Sequence, residues 1–77
     1  MRQKNTLIKN LKEVFKKELK INVHLKNKIY DFKSWDSLAN FNILLACEKK
    51  FKIKFTVREF NSINSFKGML KVVKKKI

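Results

Sequence analysis

The 77-residue chain has no proline, one glycine and one cysteine. The single cysteine, Cys47, excludes a disulfide scaffold within the chain. The single glycine excludes the glycine-rich loops that cradle nucleotide phosphates, and no linker, repeat or low-complexity stretch divides the sequence. We therefore predict one domain over residues 1–77, which buries roughly 60% of the surface that its unfolded chain exposes.

Long apolar runs and metal-ligand clusters are missing too. The longest apolar run is Ile43–Cys47, far short of the ~20 residues of a membrane span. The basic N-terminus is not followed by the apolar stretch of a secretory signal. His24 and Cys47 lie 23 positions apart, which is not a zinc spacing, and we interpret His24 as a solvated loop residue. We expect a soluble, cytoplasmic, monomeric protein with no membrane span.

Acidic residues are scarce, with six against 20 basic residues and a net charge of +14. Such a balance favours a polyanionic partner. However, only Arg2 and Arg58 are arginine, the residue that grips phosphate in bidentate fashion, and codon bias in an AT-rich genome would also produce many lysines. The charge is +7 over residues 1–28, −2 over 29–48 and +9 over 49–77. The mildly acidic middle segment is where we look for function.

Periodic apolar residues predict a helix over residues 6–19, with lysines opposite and Asn5 or Thr6 as its cap. Residues 20–35 lose this period, which indicates a long loop held by apolar anchors. Loops of this length in compact chains are frequently functional. The anchors are Ile21, Val23, Leu25, Ile29, Tyr30 and Phe32.

A second helix is predicted from its N-cap Asp36 to Phe51, more deeply buried than the first. Asn40 and Asn42 are expected on its outer face, and Cys47 is expected to pack as a small hydrophobic residue. The apolar positions that we assign to the buried face are Leu38, Phe41, Ile43, Leu44, Leu45, Cys47 and Phe51.

The C-terminal third predicts two more helices. Residues 51–55 alternate like a strand, but no second strand exists to pair with them, so we predict an extended connector. Thr56 and Glu59 form a capping box for a short helix through Phe60. Ser65, with Asn64 before it, caps a last helix. The apolar face of that helix comprises Phe66, Met69, Leu70, Val73 and Ile77. The predicted class is all-α, with four helices, a short third helix and a long first connection.

Ser37 is the residue that we single out for chemistry. The carboxylates are too few and too scattered for an acid–base pair, so we predict that the chain is not an enzyme. Ser37 follows Asp36 at the first turn of the second helix, in the acidic segment. A helix N-terminus favours a phosphate group, so this hydroxyl can carry a phosphodiester while the helix stays in the core. The simpler interpretation is that Ser37 helps to cap the helix.

The residues around Ser37 resemble the acyl carrier protein family, in particular the subgroup with a Trp-Asp-Ser-Leu attachment motif. From Asp36 to Phe66 the register follows the family pattern without a gap, whereas the first helix and loop match only in pattern and length. The residues that carry the resemblance are Trp35, Asp36, Ser37, Leu38, Phe41, Ile43, Leu44, Leu45, Glu48, Phe51, Ile63 and Phe66.

This resemblance implies a four-helix acyl-carrier-like bundle in which Ser37 receives 4′-phosphopantetheine from coenzyme A, through a separate phosphopantetheinyl transferase that uses magnesium. The terminal thiol would hold an acyl or related group as a thioester for the loading and transferring enzymes of fatty-acid, polyketide or related biosynthesis. The resemblance further implies that Asp36 positions the transferase. Partner enzymes would recognise Leu38, Phe41 and Ile43.

Three departures from the family pattern bear on function. Carriers are typically acidic, so the partners of this basic chain are specialised, less electrostatically steered, or acidic themselves. Phe55 and Phe60 stand where carriers of long chains have smaller residues, which predicts short or unsequestered cargo. Thr56 replaces a frequent proline. The resemblance implies an acyl pocket lined by Cys47, Phe55, Phe60 and Ile63.

One alternative stays open, namely a small basic module that binds nucleic acid or an anionic membrane through the lysines of the first and last helices. It predicts binding that weakens steeply with salt and is indifferent to Ser37. Scarce arginine and the lack of a stacking platform of exposed aromatic residues disfavour it, so we expect no nucleic-acid partner.

Overall fold

Four α-helices make up most of the chain in the computed structural model, which describes the backbone of residues 2–77 and the side chains of residues 6–77. They are α1 (Arg2–Leu19), α2 (Ser37–Phe51), α3 (Val57–Ser62) and α4 (Phe66–Lys76). No strand forms over these residues, and one isolated antiparallel bridge joins Lys28 to Ser65. The predicted all-α class, the short third helix and the long first connection are confirmed.

The core lies where α1 packs against α2 and α4. The Phe15 ring of α1 meets two other rings edge-on, with centroids 4.7 Å from Trp35 and 5.6 Å from Phe66. Trp35, the last residue before the cap of α2, is thereby fixed in the core. The remaining buried apolar residues are Leu7, Leu11, Val14, Val23, Ile43, Leu44, Cys47, Ile53, Phe55, Ile63, Met69, Leu70 and Val73.

Helix α1 begins at Arg2, earlier than predicted. The backbone is helical through Asn5 and Thr6, so the prediction that either residue caps the helix is wrong. Residues 2–4 are arginine, glutamine and lysine, all strong helix formers, and no glycine or proline stops the helix from extending past position 6.

Helix α2 begins as predicted but turns a different face to the core. Its buried residues are Asn40, Ile43, Leu44 and Cys47, at the spacing of a helical stripe. The prediction that Asn40 lies on the outer face of α2 is therefore wrong, whereas Asn42 is exposed as predicted. The residues predicted to be buried that are exposed instead are Leu38, Phe41 and Leu45. They form a second apolar stripe on α2, which faces solvent.

The C-terminal elements largely follow the prediction. The connector after α2 is extended, and Thr56 and Glu59 form both hydrogen bonds of the capping box of α3. Helix α3 continues to Ser62, slightly past the predicted end at Phe60. Ser65 caps α4 by accepting a hydrogen bond from the Gly68 N–H at 3.0 Å. Ile77 is exposed because α4 ends at Lys76, so its place on the apolar face was a wrong prediction.

The long connection between α1 and α2 is tied to the start of α4. Ile29 N–H donates to the Asn64 carbonyl at 2.8 Å, and Phe66 N–H donates to the Asn27 carbonyl at 3.1 Å. Of the predicted anchors, Val23 is buried and three others pack partly against the core, whereas Leu25 and Tyr30 are exposed. Across the described residues, none of the helices combines the length and the hydrophobicity needed to cross a membrane.

Candidate functional site

Ser37 is the first residue of α2, and its side chain is exposed. Asp36 precedes it in an extended conformation, and its Oδ1 accepts a hydrogen bond from the Ala39 N–H at 2.9 Å. This confirms the predicted N-cap. The first N–H groups of a helix have no carbonyl one turn earlier to bind, and the helix dipole places partial positive charge at this end. The Ser37 hydroxyl therefore lies where a negative group is stabilised.

A tyrosine from the preceding loop contacts this serine. Tyr30 Oη lies 2.6 Å from Ser37 Oγ, and either hydroxyl can be the donor. The sequence predicts Tyr30 as an apolar anchor of the loop, but the residue is 67% exposed, so this prediction is wrong. The sequence carries no signal for this pairing, because the two residues are seven positions apart across an irregular loop. Only the folded backbone brings them together.

The turn before Ser37 is held by hydrogen bonds. Tyr30 N–H donates to the Trp35 carbonyl at 2.8 Å, and Trp35 N–H donates to the Phe32 carbonyl at 3.0 Å. The Asp31 carboxylate accepts from the Lys28 N–H at 2.9 Å and pairs with the Lys28 ammonium at 3.2 Å. The hydrogen bond from the Lys28 backbone is the main cause that lowers the pKa of Asp31. The ionised Asp31 carboxylate thus stabilises the turn through its hydrogen bond and its ion pair with Lys28.

A buried hydrogen-bond chain fixes the same turn from inside. Trp35 Nε1–H donates to Asn40 Oδ1 at 3.0 Å, and Asn40 Nδ2–H donates to the Ile63 carbonyl at 2.7 Å. Both side chains are buried, and every side-chain nitrogen and oxygen atom of these two residues has a hydrogen-bond partner. The first turn of α2 is therefore bound to the residue that ends α3, which fixes the position of the helix start that carries Ser37.

The residues predicted for partner recognition divide into exposed and buried ones. Asp36 is exposed, Leu38 is 70% exposed and Phe41 is 46% exposed. Ile43 is fully buried, so the prediction that it contributes to a recognition surface is wrong. Its position on α2 belongs to the core stripe with Cys47. Phe41 instead packs on Phe60 of α3, with ring centroids 5.1 Å apart.

The four residues expected to line an acyl pocket all belong to the core or pack against it. Cys47 and Ile63 are buried, and Cys47 Sγ contacts Met69 Sδ at 4.0 Å. The Phe55 and Phe60 rings meet edge-on at 5.8 Å. Burial raises the pKa of the Cys47 thiol to about 12, so the thiol is protonated at neutral pH. Short or unsequestered cargo stays a prediction.

Comparison with known proteins adds nothing to this site. No protein-family model matches the chain, and no curated protein matches it. The described residues contain no group of three or more histidine, cysteine or acidic side chains that could hold a metal ion. The polar side chains that the structure places at the N-terminus of α2 are the Ser37 hydroxyl, the Tyr30 phenol and the Asp36 carboxylate.

Lysines border the exposed stripe of α2. A surface groove beside Leu45 is lined by Lys49, Lys52 and Lys54 together with two glutamates. Of those glutamates, Glu48 is engaged within the chain, because its carboxylate accepts the Phe55 N–H at 2.7 Å. The stripe that starts at Leu38, beside Ser37, therefore ends at a groove whose charged lining is three lysines and two glutamates.

Proposed function

We propose that this chain is an acyl carrier protein, with 4′-phosphopantetheine attached to Ser37. The observation that carries the proposal is the placement of Ser37, which presents an exposed hydroxyl on the first residue of a helix whose other side is in the core. The residues present suit a phosphodiester, because the helix N-terminus stabilises its negative charge and the hydroxyl is accessible to an enzyme. The Trp-Asp-Ser-Leu motif over residues 35–38 supports the same assignment.

In the proposed modification, Ser37 Oγ forms a bond to the phosphorus of coenzyme A that bears pantetheine. The bond from that phosphorus to the nucleotide breaks, the nucleotide leaves, and the serine proton passes to a base of the separate transferase. The arm supplies a thiol that holds an acyl or related group as a thioester. The chain itself tethers this cargo and raises its effective concentration at partner enzymes.

The other predicted residues take supporting roles in this proposal. Asp36 keeps the first turn of α2 formed, so the hydroxyl is held in one place. Leu38 and Phe41 supply exposed apolar area beside Ser37 for the transferase and for acyl-transferring enzymes. Because the stripe ends at a groove lined by lysines and glutamates, the partner surface that fits it has an apolar centre and a rim with charges of both signs.

Intact-mass measurement tests the proposal. The chain is incubated with a promiscuous phosphopantetheinyl transferase, magnesium and coenzyme A, beside the variants Ser37→Ala and Ser34→Ala. Ser34 is the matched control, since it is an exposed serine of the same segment. We expect the wild type and Ser34→Ala to gain the mass of one phosphopantetheine and Ser37→Ala to gain none. No gain by the wild type, or a gain that survives Ser37→Ala, refutes the proposal.

The basic binding module differs from the carrier in what it predicts for Ser37. It requires binding to nucleic acid or anionic vesicles that falls steeply with salt and is equal in the wild type and in Ser37→Ala. A carrier needs no such binding. Both measurements use the same two proteins, so one preparation separates the two functions.

A further inference from the structure

We propose that Tyr30 positions Ser37 for modification and then binds the phosphate of the attached arm through its phenol hydroxyl. This inference rests on the carrier function proposed above and adds a second residue of this chain to the site. The geometry that points to it is the 2.6 Å contact between the two exposed hydroxyls.

Packing does not account for a tyrosine at this position. The side chain is 67% exposed, and the core rings that pack on one another belong to other residues. What the side chain does contact through its polar atom is Ser37 Oγ. The hydroxyl is therefore the feature of Tyr30 that the fold uses.

The backbone at Tyr30 supports the same conclusion. Three non-glycine residues among those described have a positive φ, namely Lys20 at 59°, Tyr30 at 74° and Lys52 at 56°. The two lysines follow the last residues of α1 and α2, where a left-handed residue commonly ends a helix. Tyr30 ends no helix. Its N–H is bound to the Trp35 carbonyl, which holds it in a conformation that a bulky side chain rarely adopts.

A left-handed residue in a turn is most easily glycine or asparagine, so a tyrosine here carries strain that the turn alone does not require. Strained residues are concentrated at functional sites, where the surrounding structure holds them in place. Here the strained backbone delivers a hydroxyl to the one side-chain atom that the proposed modification uses.

Hydrogen-bonding chemistry indicates what the phenol does before and after modification. In the unmodified chain, one hydroxyl donates to the other, which restricts the rotation of the Ser37 side chain. After modification Ser37 Oγ has no proton, so Tyr30 can act only as the hydrogen-bond donor. Ser37 Oγ is then bonded to the phosphorus atom, which carries the charged phosphate oxygens. A hydrogen bond to an ionised acceptor is stronger than one between neutral groups. Tyr30 therefore donates to a charged phosphate oxygen of the attached arm more strongly than to the neutral Ser37 hydroxyl of the unmodified chain.

The test compares the wild type with Tyr30→Phe, Tyr30→Gly and the control Ser34→Ala. Both variants lack the hydroxyl. Phenylalanine keeps the ring of Tyr30, whereas glycine removes the ring but adopts a positive φ without strain, so at least one of the two should retain the turn. Each protein is modified to completion as judged by mass, and the ³¹P NMR resonance of the arm is recorded. Initial modification rates give kcat and KM.

We expect both Tyr30 variants to shift the ³¹P resonance and to narrow it, because the phosphate loses its donor. We also expect kcat to fall about tenfold with KM unchanged, since the loss affects orientation rather than docking. Ser34→Ala should match the wild type in both measurements. A wild type that is never modified overturns the carrier proposal together with this inference. Modification in which both Tyr30 variants keep the wild-type resonance and kcat overturns the inference alone.

Discussion

The Trp35 indole N–H donates to the Asn40 side-chain carbonyl at 3.0 Å, and through Asn40 the first turn of α2 is bound to Ile63, the residue that caps the end of α3. Trp35 and Asn40 are both buried, so their polar groups depend on hydrogen-bond partners within the protein. This hydrogen bond connects the loop that carries Tyr30 with the helix that carries Ser37.

Replacing Asn40 by alanine should cost about 2 to 4 kcal/mol of unfolding free energy, because the Trp35 N–H and the Ile63 carbonyl would lose their partner inside the core. Urea unfolding followed by the fluorescence of the single tryptophan measures this loss. Asn42→Ala is the matched control, an exposed asparagine of the same helix, and should change stability by less than about 0.5 kcal/mol. Equal effects of the two substitutions would contradict the buried network.

Cys47 should make the protein less stable at high pH. Its thiol has an ordinary pKa near 9, and burial raises the folded-state value to about 12. Above pH 9 the unfolded chain releases this proton while the folded chain keeps it, so the stability contributed below pH 9 is lost as the pH rises toward 12.

Denaturant titrations at successive pH values test the Cys47 prediction. The quantity to compare is the difference in unfolding free energy between the wild type and Cys47→Ala, which separates the thiol from every other pH-dependent contribution. That difference should fall by about 1.4 kcal/mol per pH unit above pH 9. A difference that stays constant with pH would mean that the thiol ionises as freely in the folded chain as in the unfolded one.

Leu38 should act in recognition without contributing to stability. Its side chain is 70% exposed beside Ser37, so Leu38→Ala removes apolar area that a docked transferase would cover. We expect KM for modification to rise about five- to tenfold with the unfolding free energy unchanged within about 0.5 kcal/mol. Val57→Ala, at an exposed apolar residue of α3, is the control and should leave KM unchanged. If both variants raised KM equally, the effect would not be specific to the stripe beside Ser37.

Salt should stabilise this protein. With 20 basic and six acidic residues, repulsion between like charges opposes the compact state, and salt screens it. Three ion pairs are at least partly exposed, so they add little to the free energy of unfolding and salt has little to weaken. They are Lys28–Asp31, Lys50–Glu13 and Lys76–Glu59. The melting temperature should therefore rise between about 0.01 M and 0.5 M NaCl. A fall would show that the ion pairs outweigh the repulsion.

Replacing Gly68 by alanine should not increase the free energy of unfolding as such a substitution in a helix usually does. Alanine in a helix is favoured over glycine by about 1 kcal/mol, but a Cβ at position 68 would lie 2.9 Å from Ser65 Oγ, the cap of α4. Because the clash displaces the cap, Gly68→Ala should give no net stabilisation in the wild type. In a Ser65→Gly background, the same substitution should stabilise the protein by about 1 kcal/mol. Equal effects in both backgrounds would contradict the clash.

The starts of α2, α3 and α4 were predictable because each helix follows a side chain with a specific capping function. Asp36, Thr56 and Ser65 all cap as predicted, since capping depends on residues within one turn of sequence. The orientation of α2 was not predictable in the same way. It has two apolar stripes, and the choice between them depends on the Ile63 carbonyl accepting the Asn40 amide from 23 positions away.

The same distinction applies to the candidate site. Ser37 could be singled out because a cap, a helix and a motif lie next to it in sequence. Tyr30 could not, because its contribution depends on a left-handed backbone and on the hydrogen bond to the Trp35 carbonyl. Periodicity in an irregular loop carries no information about either.

The backbone pairing of residues 27 and 29 with residues 66 and 64 has a consequence for protein synthesis. The loop before Ser37 is held by residues translated about 35 to 39 codons later, and the Asn40 amide is held by Ile63, which is translated 23 codons later. Until those residues have been synthesised, the loop before Ser37 lacks its hydrogen bonds to Asn64 and Phe66. Its geometry is complete only when the start of α4 is available to fold. A modifying enzyme that requires this geometry would therefore discriminate chains in which the start of α4 has been synthesised from shorter nascent chains.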